Sequence, residues 1–310
     1  MIMKAIYKYI TAVAAAVLLS FAGMSVSAQT LPSLVLGQDP ASLAVGMVGC
    51  ASDAGAYAVQ NNVAAVSLSE RTLDAQVGMG LWQPEYADYK TYGIAAMYRL
   101  GKLGLALDSR MLRMPAYGGV SDNGSEIRDA EFAPSELSIS AGASYAVMNC
   151  LSVGLALRYA DSKLADDASA AVFGADMAIY FRKNGIKAGL SVNNLGTKVK
   201  YQDKAYSQPM MAKLGAGYDL LLGKSALDFM AEVDVLFSGS VMAGAGCEYS
   251  FNEMVYVRAG YHYGSSVDVV PSYASAGLGI SIFGAKLNVA YLFGSRILAN
   301  SMCFSLGYSF

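Results

Sequence analysis

From residue 73 onward, apolar positions alternate with small or polar ones at a period of two. This is the signature of β-strands, whose successive side chains point to opposite faces. Val153, Leu155, Leu157 and Tyr159 share one face, with Gly154, Ala156 and Arg158 on the other. Leu227, Phe229, Ala231, Val233 and Val235 oppose Asp228, Met230, Glu232 and Asp234 in the same way. Val255, Val257, Ala259, Tyr261 and Tyr263 oppose Tyr256, Arg258, Gly260 and His262, and Leu287, Val289, Tyr291 and Phe293 oppose Lys286, Asn288, Ala290 and Leu292. The pattern divides into fourteen expected strands: 73–82, 91–100, 102–113, 134–148, 151–163, 170–182, 185–195, 207–219, 225–236, 240–251, 254–264, 271–283, 285–295 and 300–310.

The connections alternate as well. Every second one is short: Gly101, Asn149-Cys150, Lys183-Asn184, 220–224, Asn252-Glu253 and Gly284. Lys183-Asn184-Gly185 predicts a type I′ hairpin, because Asn and Gly tolerate positive φ. The intervening connections, 83–90, 114–133, 196–206 and 265–270, are longer and mostly more polar, and 237–239 is a short exception. An even number of strands with short turns at one end and long loops at the other describes an all-β, antiparallel transmembrane barrel. A soluble sandwich shows the same alternation, but closure leaves no unpaired edge in hydrocarbon. The export leader, the strand count and the aromatic end of the chain favour the barrel.

That ending is itself two-faced. Met302, Phe304, Leu306 and Tyr308 are expected toward lipid, and Cys303, Ser305 and Gly307 toward the lumen, with the last strand pairing with 73–82 to close the barrel. Tyr308 and the terminal Phe310 resemble the signal read by the barrel-assembly machinery, which is therefore an expected partner.

Composition changes the picture in three ways. Hydrophobic types make up 55% of the chain, yet after Ala28 no apolar run reaches the length of a helical span. Residues 1–28 predict a signal peptide, with Lys4 and Lys8 ahead of an apolar stretch and a small-residue cleavage site between Ala28 and Gln29. The net charge of −2 argues against nucleic acid as a partner. Cys50, Cys150, Cys247 and Cys303 form no CxxC, and His262 is the only histidine, so neither a metal nor another cofactor is expected. The cysteines are expected as small buried hydrophobes.

Strand parity points Asp108, Arg110, Arg158, Asp176, Arg182, Asp228, Glu232, Asp234, Arg258 and His262 into the lumen. Their mixed signs predict ion-pair networks filling a narrow interior, although a substrate path would draw on the same residues. A Ser-His-acid enzyme would need His262, which parity places away from lipid substrates, so catalysis is not expected. Residues 29–72 do not alternate. They are rich in Ala, Gly and Ser, and their apolar character predicts a plug folded inside the barrel of 73–310.

This segment also carries a family resemblance. Ala44-Val45-Gly46-Met47-Val48-Gly49, then Asp53-Ala54, then Asn61-Asn62-Val63-Ala64, resembles the plug opening of FadL-type outer-membrane proteins. "FAPSELSISAGASYAVMNCLSVGLALRYADSKL" (132–164), "FGADMAIYF" (173–181), "AGLSVNNLGTKVKY" (188–201) and "PMMAKLGAGYDL" (209–220) resemble the PorV/PorQ branch. Where the family usually has Asn-Pro-Ala, this chain has Asn62-Val63-Ala64, so the rigid proline turn is missing. The resemblance implies a fourteen-stranded barrel with an N-terminal plug in the outer membrane of Bacteroidetes-type bacteria. It further implies a role in type IX secretion, escorting secreted proteins with C-terminal sorting domains to the surface attachment machinery. The long loops 114–133 and 196–206, with Tyr117, Tyr201 and Tyr206, are the expected contacts for cargo or other secretion components. The alternative is passive transport of a hydrophobic small molecule, which needs an apolar pocket beside the plug and a side opening at a strand kink. The branch also carries a suggestion of lipid A deacylation.

Overall fold

The computed structural model describes residues 31–84, 87–120, 126–165, 168–201, 204–264, 270–295, 297–298 and 300–310. The expected leader and its cleavage site at Ala28 and Gln29 lie outside them. The described strands begin with β1 (Leu73–Trp82), β2 (Tyr89–Leu100), β3 (Leu103–Arg113), β4 (Tyr117–Val120), β5 (Glu126–Phe132) and β6 (Ser135–Met148). Next come β7 (Leu151–Ala165), β8 (Ala168–Lys183), β9 (Ile186–Gly196), β10 (Val199–Tyr201), β11 (Lys204–Tyr206) and β12 (Met211–Leu222). The chain finishes with β13 (Ser225–Leu236), β14 (Val241–Phe251), β15 (Val255–Tyr263), β16 (Tyr273–Ile282), β17 (Ala285–Phe293) and β18 (Ser301–Ser309).

Fourteen of these strands form one closed antiparallel barrel, in which β18 completes the ring against β1. The seam runs from Asp74 opposite Ser309 to Leu81 opposite Met302. Phe310 extends it, its carbonyl accepting from the amides of Thr72 at 2.8 Å and Leu73 at 2.9 Å. The remaining strands are the small hairpins β4–β5 and β10–β11, which lie within the long connections and were not legible from alternation. The tight turns behave as their sequences dictate: Asn184 and Gly185 have φ of 53° and 79°, as a type I′ turn requires.

Alternation places the apolar set outward. Ile94, Leu157 and Phe173 are 64%, 62% and 66% exposed, a waste in water but the required face in lipid. One strand start and one strand interior differ from the sequence reading. The β12 ladder begins at Met211 rather than 207, because Gln208 turns inward and its amide donates to the carbonyls of Phe173 at 2.9 Å and Thr197 at 2.8 Å. In β9 a bulge at Asn193–Asn194 faces Asp176 of β8, and Asn194 has a φ of 61°. Such a bulge bends the wall locally.

Residues 31–72 lie against the inward faces of the strands. They form short turns of helix at Pro32–Leu34, Pro40–Ala44, Ala58–Asn61 and Val63–Leu68. Two of these are capped by side chains: Asp39 accepts from the Ala41 amide, and Asn62 from the Ala64 amide, each at 3.0 Å. Leu43, Ala44, Met47 and Val35 join Trp82, Met242, Tyr273 and Leu292 of the wall in one buried cluster. Val63, Ala64 and Val66 join Met97, Ala106, Ala156 and Tyr180 in a second. The approach is closest at Val45-Gly46, whose backbone rests on wall glycines: a Cβ at Gly260 would sit 2.2 Å from the Val45 carbonyl carbon, and one at Gly244 2.2 Å from the Gly46 oxygen. The segment crosses the barrel. Its start packs with Ala160 and Val172 toward the long-loop end, and Leu73 follows directly at the short-turn end.

Candidate functional site: the filled lumen

The ten lumen candidates fall into tiers that tie wall to wall and wall to segment 31–72. Toward the loop end, Arg110 lies 3.9 Å from Asp108 and donates to the carbonyls of Leu36, at 3.3 Å, and Ser33. Asp108 accepts from the Gln60 amide at 2.6 Å. Beside it, Arg158 holds Asp176 at 2.6 Å and donates to Ser140 Oγ at 3.0 Å and to Asn194 Oδ1. The bulge of β9 completes this group. The Asn194 amide donates to Asp176 at 2.7 Å, and its side chain donates to the Pro209 carbonyl at 2.8 Å, fastening the inward turn ahead of β12.

At mid-height, Glu232 accepts from the backbone amides of Gly49 at 2.7 Å and Cys50 at 2.6 Å. Lys213 lies 3.5 Å from Glu232 and 3.8 Å from Asp234, its single charge shared between the two carboxyl groups. His262 stacks on Tyr273 with centroids 5.1 Å apart, and its Nδ1 lies 3.3 Å from the Gly46 carbonyl. It is buried against the segment, with no carboxylate hydrogen bond to orient the ring among the described residues.

At the turn end, Lys187 binds Asp219 at 2.7 Å, Asp53 at 3.4 Å and Asp228. Arg182 reaches Asp53 at 3.5 Å, Glu70 at 3.0 Å and Asp219 at 3.8 Å. Across the lumen, Arg258 pairs with Glu248 at 2.5 Å and donates to Asn288 at 3.0 Å, while Lys286 binds Asp74. Eight of the ten candidates are at most 6% exposed, whereas Arg182 and Asp228 are half-buried at the turn-end mouth.

Sequence reasoning passed over half of this system. Lys187, Lys213 and Glu248 occupy the same inward parity and supply partners for Asp228, Glu232, Asp234 and Arg258, while Lys286 pairs with Asp74 and Glu136 accepts the Ser33 amide at 3.1 Å. A complete parity count along every strand would have found them; the Asn194 bulge has no such signal. Within the segment, burial pushes the Asp39 carboxyl above the usual carboxylate range and the Cys50 thiol up as well. All four cysteines are free, but only Cys50 and Cys303 are buried. Cys150 in a turn and Cys247 on the lipid face are half-exposed, which corrects the expectation of four buried ones.

Among the described residues, cavities lie beside the segment, three of them as follows. One of about 40 Å³ lies among Arg110, Arg158, Asn194, Lys213 and Asp234. A second, of about 150 Å³, lies among Asp39, Tyr57, Asp74, Asp228, Glu248 and Arg258. The third, about 350 Å³, forms the mouth at the turn end between Glu70, Arg182, Asp219, Leu221, Glu253 and Phe310. Charged side chains line every one of them.

The loop tyrosines separate. Tyr117 is exposed on β4, its hydroxyl donating to the Leu164 carbonyl at 2.7 Å and its ring 6.1 Å from Phe132. Tyr201 is buried with Leu31, Leu34, Ala160, Val172 and Val199, because β10–β11 folds into the mouth. It is therefore a packing residue and not an open contact, contrary to the sequence reading. Tyr206 packs partly buried against that cluster, its ring 6.2 Å from Tyr201. At the chain end, Tyr308 is exposed on the outer face, and Phe310 is exposed at the rim of the turn-end mouth.

Solved structures share this architecture. The Pseudomonas putida toluene transporter TodX matches with a TM-score of 0.60 at 12% identity, over 93% of this chain and 98% of its own. The monoaromatic hydrocarbon channel CymD matches with a TM-score of 0.59 at 15% identity, covering 88% and 97%. A Pseudomonas aeruginosa FadL homologue matches with a TM-score of 0.54 at 12% identity, covering 88% and 98%. At such identities the likeness is one of fold. No curated protein sequence matches. The family model for the type IX secretion system protein PorV matches residues 22–238, across the segment, the bulge and the inward hairpin. This chain is an outer-membrane β-barrel that belongs to the PorV family of the type IX secretion system.

Proposed function

We propose that this barrel works in type IX secretion as a binding and shuttle module, carrying secreted proteins with C-terminal sorting domains to the attachment machinery at the cell surface. Residues 31–72 act as a plug. Barrel and plug together form a rigid platform, and the working surface is the long-loop end, with Tyr117 on the β4–β5 hairpin as a contact. Supporting this reading is the way the lumen is filled: Glu232, Arg110 and Lys187 tie the plug to the wall. The cavities beside the plug carry charged groups, which are costly surroundings for an apolar solute. TodX is a toluene transporter, and the hydrophobic-transport reading would need an apolar pocket beside the plug here. Tyr308 and Phe310 serve assembly as the terminal signal, and lumen residues such as His262 serve packing and not catalysis.

The test is deletion of the gene in a type IX-competent host, followed by fractionation of sorting-domain cargo. Loss of surface attachment, restored by the wild-type gene and weakened by replacing 114–133 with a short turn, is expected. Cargo still attached at wild-type levels would overturn the proposal.

A further inference from the structure

The outer wall of the barrel is not uniform at its long-loop end. On β13–β18 the outward residues nearest that end are Val235, Val241, Tyr263, Ala274, Phe293 and Met302, without a charge among them. Across β2, β3, β6, β7 and β8 the register instead gathers outward cations into one row. Lys90 lies opposite Arg113, Arg113 opposite Ser135, Ser135 opposite Lys163, and Lys163 opposite Ser169. Neighbouring strands are about 4.8 Å apart, so Lys90 and Arg113 are adjacent and Lys163 stands about 10 Å from Arg113.

The row sits at the upper edge of the apolar band. A strand tilted by about 40° climbs about 2.5 Å per residue, so β3 rises about 25 Å from Leu103 to Arg113, the height of a lipid-facing band. Short turns mark the periplasmic side, which places the row among the headgroups of the outer leaflet. Below it the outward residues are Tyr92, Met111, Leu137, Ile139, Tyr159 and Phe173, all exposed, with the Tyr159 and Phe173 rings 5.4 Å apart. Lys90 meets Asp88 at 3.1 Å, but both side chains are well exposed, and such a pair contributes little. Arg113 and Lys163 are exposed and have no ion-pair or hydrogen-bond partner among the described residues. Among the outward residues of these five strands the one acid is Asp161, one outward position below Lys163 on β7.

We infer that this sector of the outer wall docks an anionic, phosphate-bearing lipid of the outer leaflet. The Arg113 guanidinium holds the phosphate through paired N–H donors, and Lys90 and Lys163 flank it. The acyl chains lie along Tyr92, Met111, Leu137 and Phe173. The occupant is a lipid because cations and apolar bed meet along one edge, matching a charged headgroup above its own chains. The inference is independent of the cargo reading, which concerns the loops beyond this edge.

Native mass spectrometry of the purified full barrel in micelles tests it, by titration with dioleoyl phosphatidylglycerol. Dioleoyl phosphatidylcholine is the control, with the same chains and no net charge. Saturable attachment of the anionic lipid, without saturation by the zwitterionic one, is expected. A cation at a charged lipid surface is worth about fivefold in affinity, so Arg113→Gln weakens binding by about that factor. Adding Lys90→Gln and Lys163→Gln weakens it about a hundredfold in all. Asp161→Asn removes the neighbouring anion and tightens binding. These side chains stand on the outer wall, so heat-modifiability on gels stays as in the wild type. Lys183→Gln, which removes an exposed outward cation at the turn end, leaves binding unchanged. Equal binding of the two lipids, wild-type binding by the triple variant, or a loss in Lys183→Gln as large as in Arg113→Gln would overturn the inference.

Discussion

Glu232 offers the sharpest perturbation of how segment 31–72, the proposed plug, is held. Its carboxylate is buried on β13 and accepts the Gly49 and Cys50 amides at 2.7 Å and 2.6 Å. Glu232→Ala leaves both amides buried without an acceptor, while Lys213 keeps Asp234 at 3.8 Å. A hydrogen bond to a charged acceptor is worth about 1.5–3 kcal/mol net, and the two share one carboxylate, so about 3 kcal/mol is a fair sum for the pair. Local opening of this part of the plug then becomes easier by that amount, and amide exchange at Gly49 and Cys50 speeds up about a hundredfold. Glu232→Gln keeps a neutral acceptor and speeds exchange about tenfold. Exchange measured by NMR or mass spectrometry on the barrel in micelles reads this directly, with the strand amides as an internal reference. Labelling of Cys50 by a maleimide gives a second readout, since its thiol is buried and held protonated in the wild type. Wild-type exchange at both amides in Glu232→Ala would refute the idea that this carboxylate anchors the plug.

Asp176→Leu strips the partner from buried Arg158 and is expected to cost about 3–5 kcal/mol in denaturant unfolding, whereas the double variant with Arg158→Met recovers most of that loss. Gly260→Val forces a side chain whose Cβ alone would sit 2.2 Å from the Val45 carbonyl carbon; the barrel stays heat-modifiable on gels, but residues 31–72 become sensitive to protease. Deleting Phe310 removes the hydrogen bonds that end the seam, at 2.8 Å, 2.9 Å and 3.0 Å, and lowers the outer-membrane level of the protein on immunoblots.

The barrel was legible because lipid imposes one rule on every strand: Leu155, Leu157 and Leu306 must be apolar whatever lies inside. Register followed from that rule, since a one-residue slip would turn a whole strand inside out. The site was legible only in part. Arg158 and Asp176 stand at inward parity on neighbouring strands, so their meeting could be anticipated. The third member, Asn194, enters through a bulge, where an extra residue breaks the period and erases the signal. Tyr201 misled for a related reason: a polar, tyrosine-bearing connection reads as a surface loop, but β10–β11 folds back over Leu31 and Leu34. The seat of segment 31–72 is harder still to foresee. It depends on glycines of β14 and β15 lining up opposite Val45-Gly46, a coincidence between segments about two hundred residues apart.

The seam between β1 and β18 fixes an order of events. Segment 31–72 immediately precedes β1 and packs along the lumen, yet the ring closes only when the last strand of the chain meets the first. A chain threaded through a finished ring would have to drag Arg110's and Glu232's partners past an already packed wall. Residues 31–72 are therefore expected to be laid along the open sheet before the final strand arrives, with the Phe310 hydrogen bonds to Thr72 and Leu73 closing a filled container.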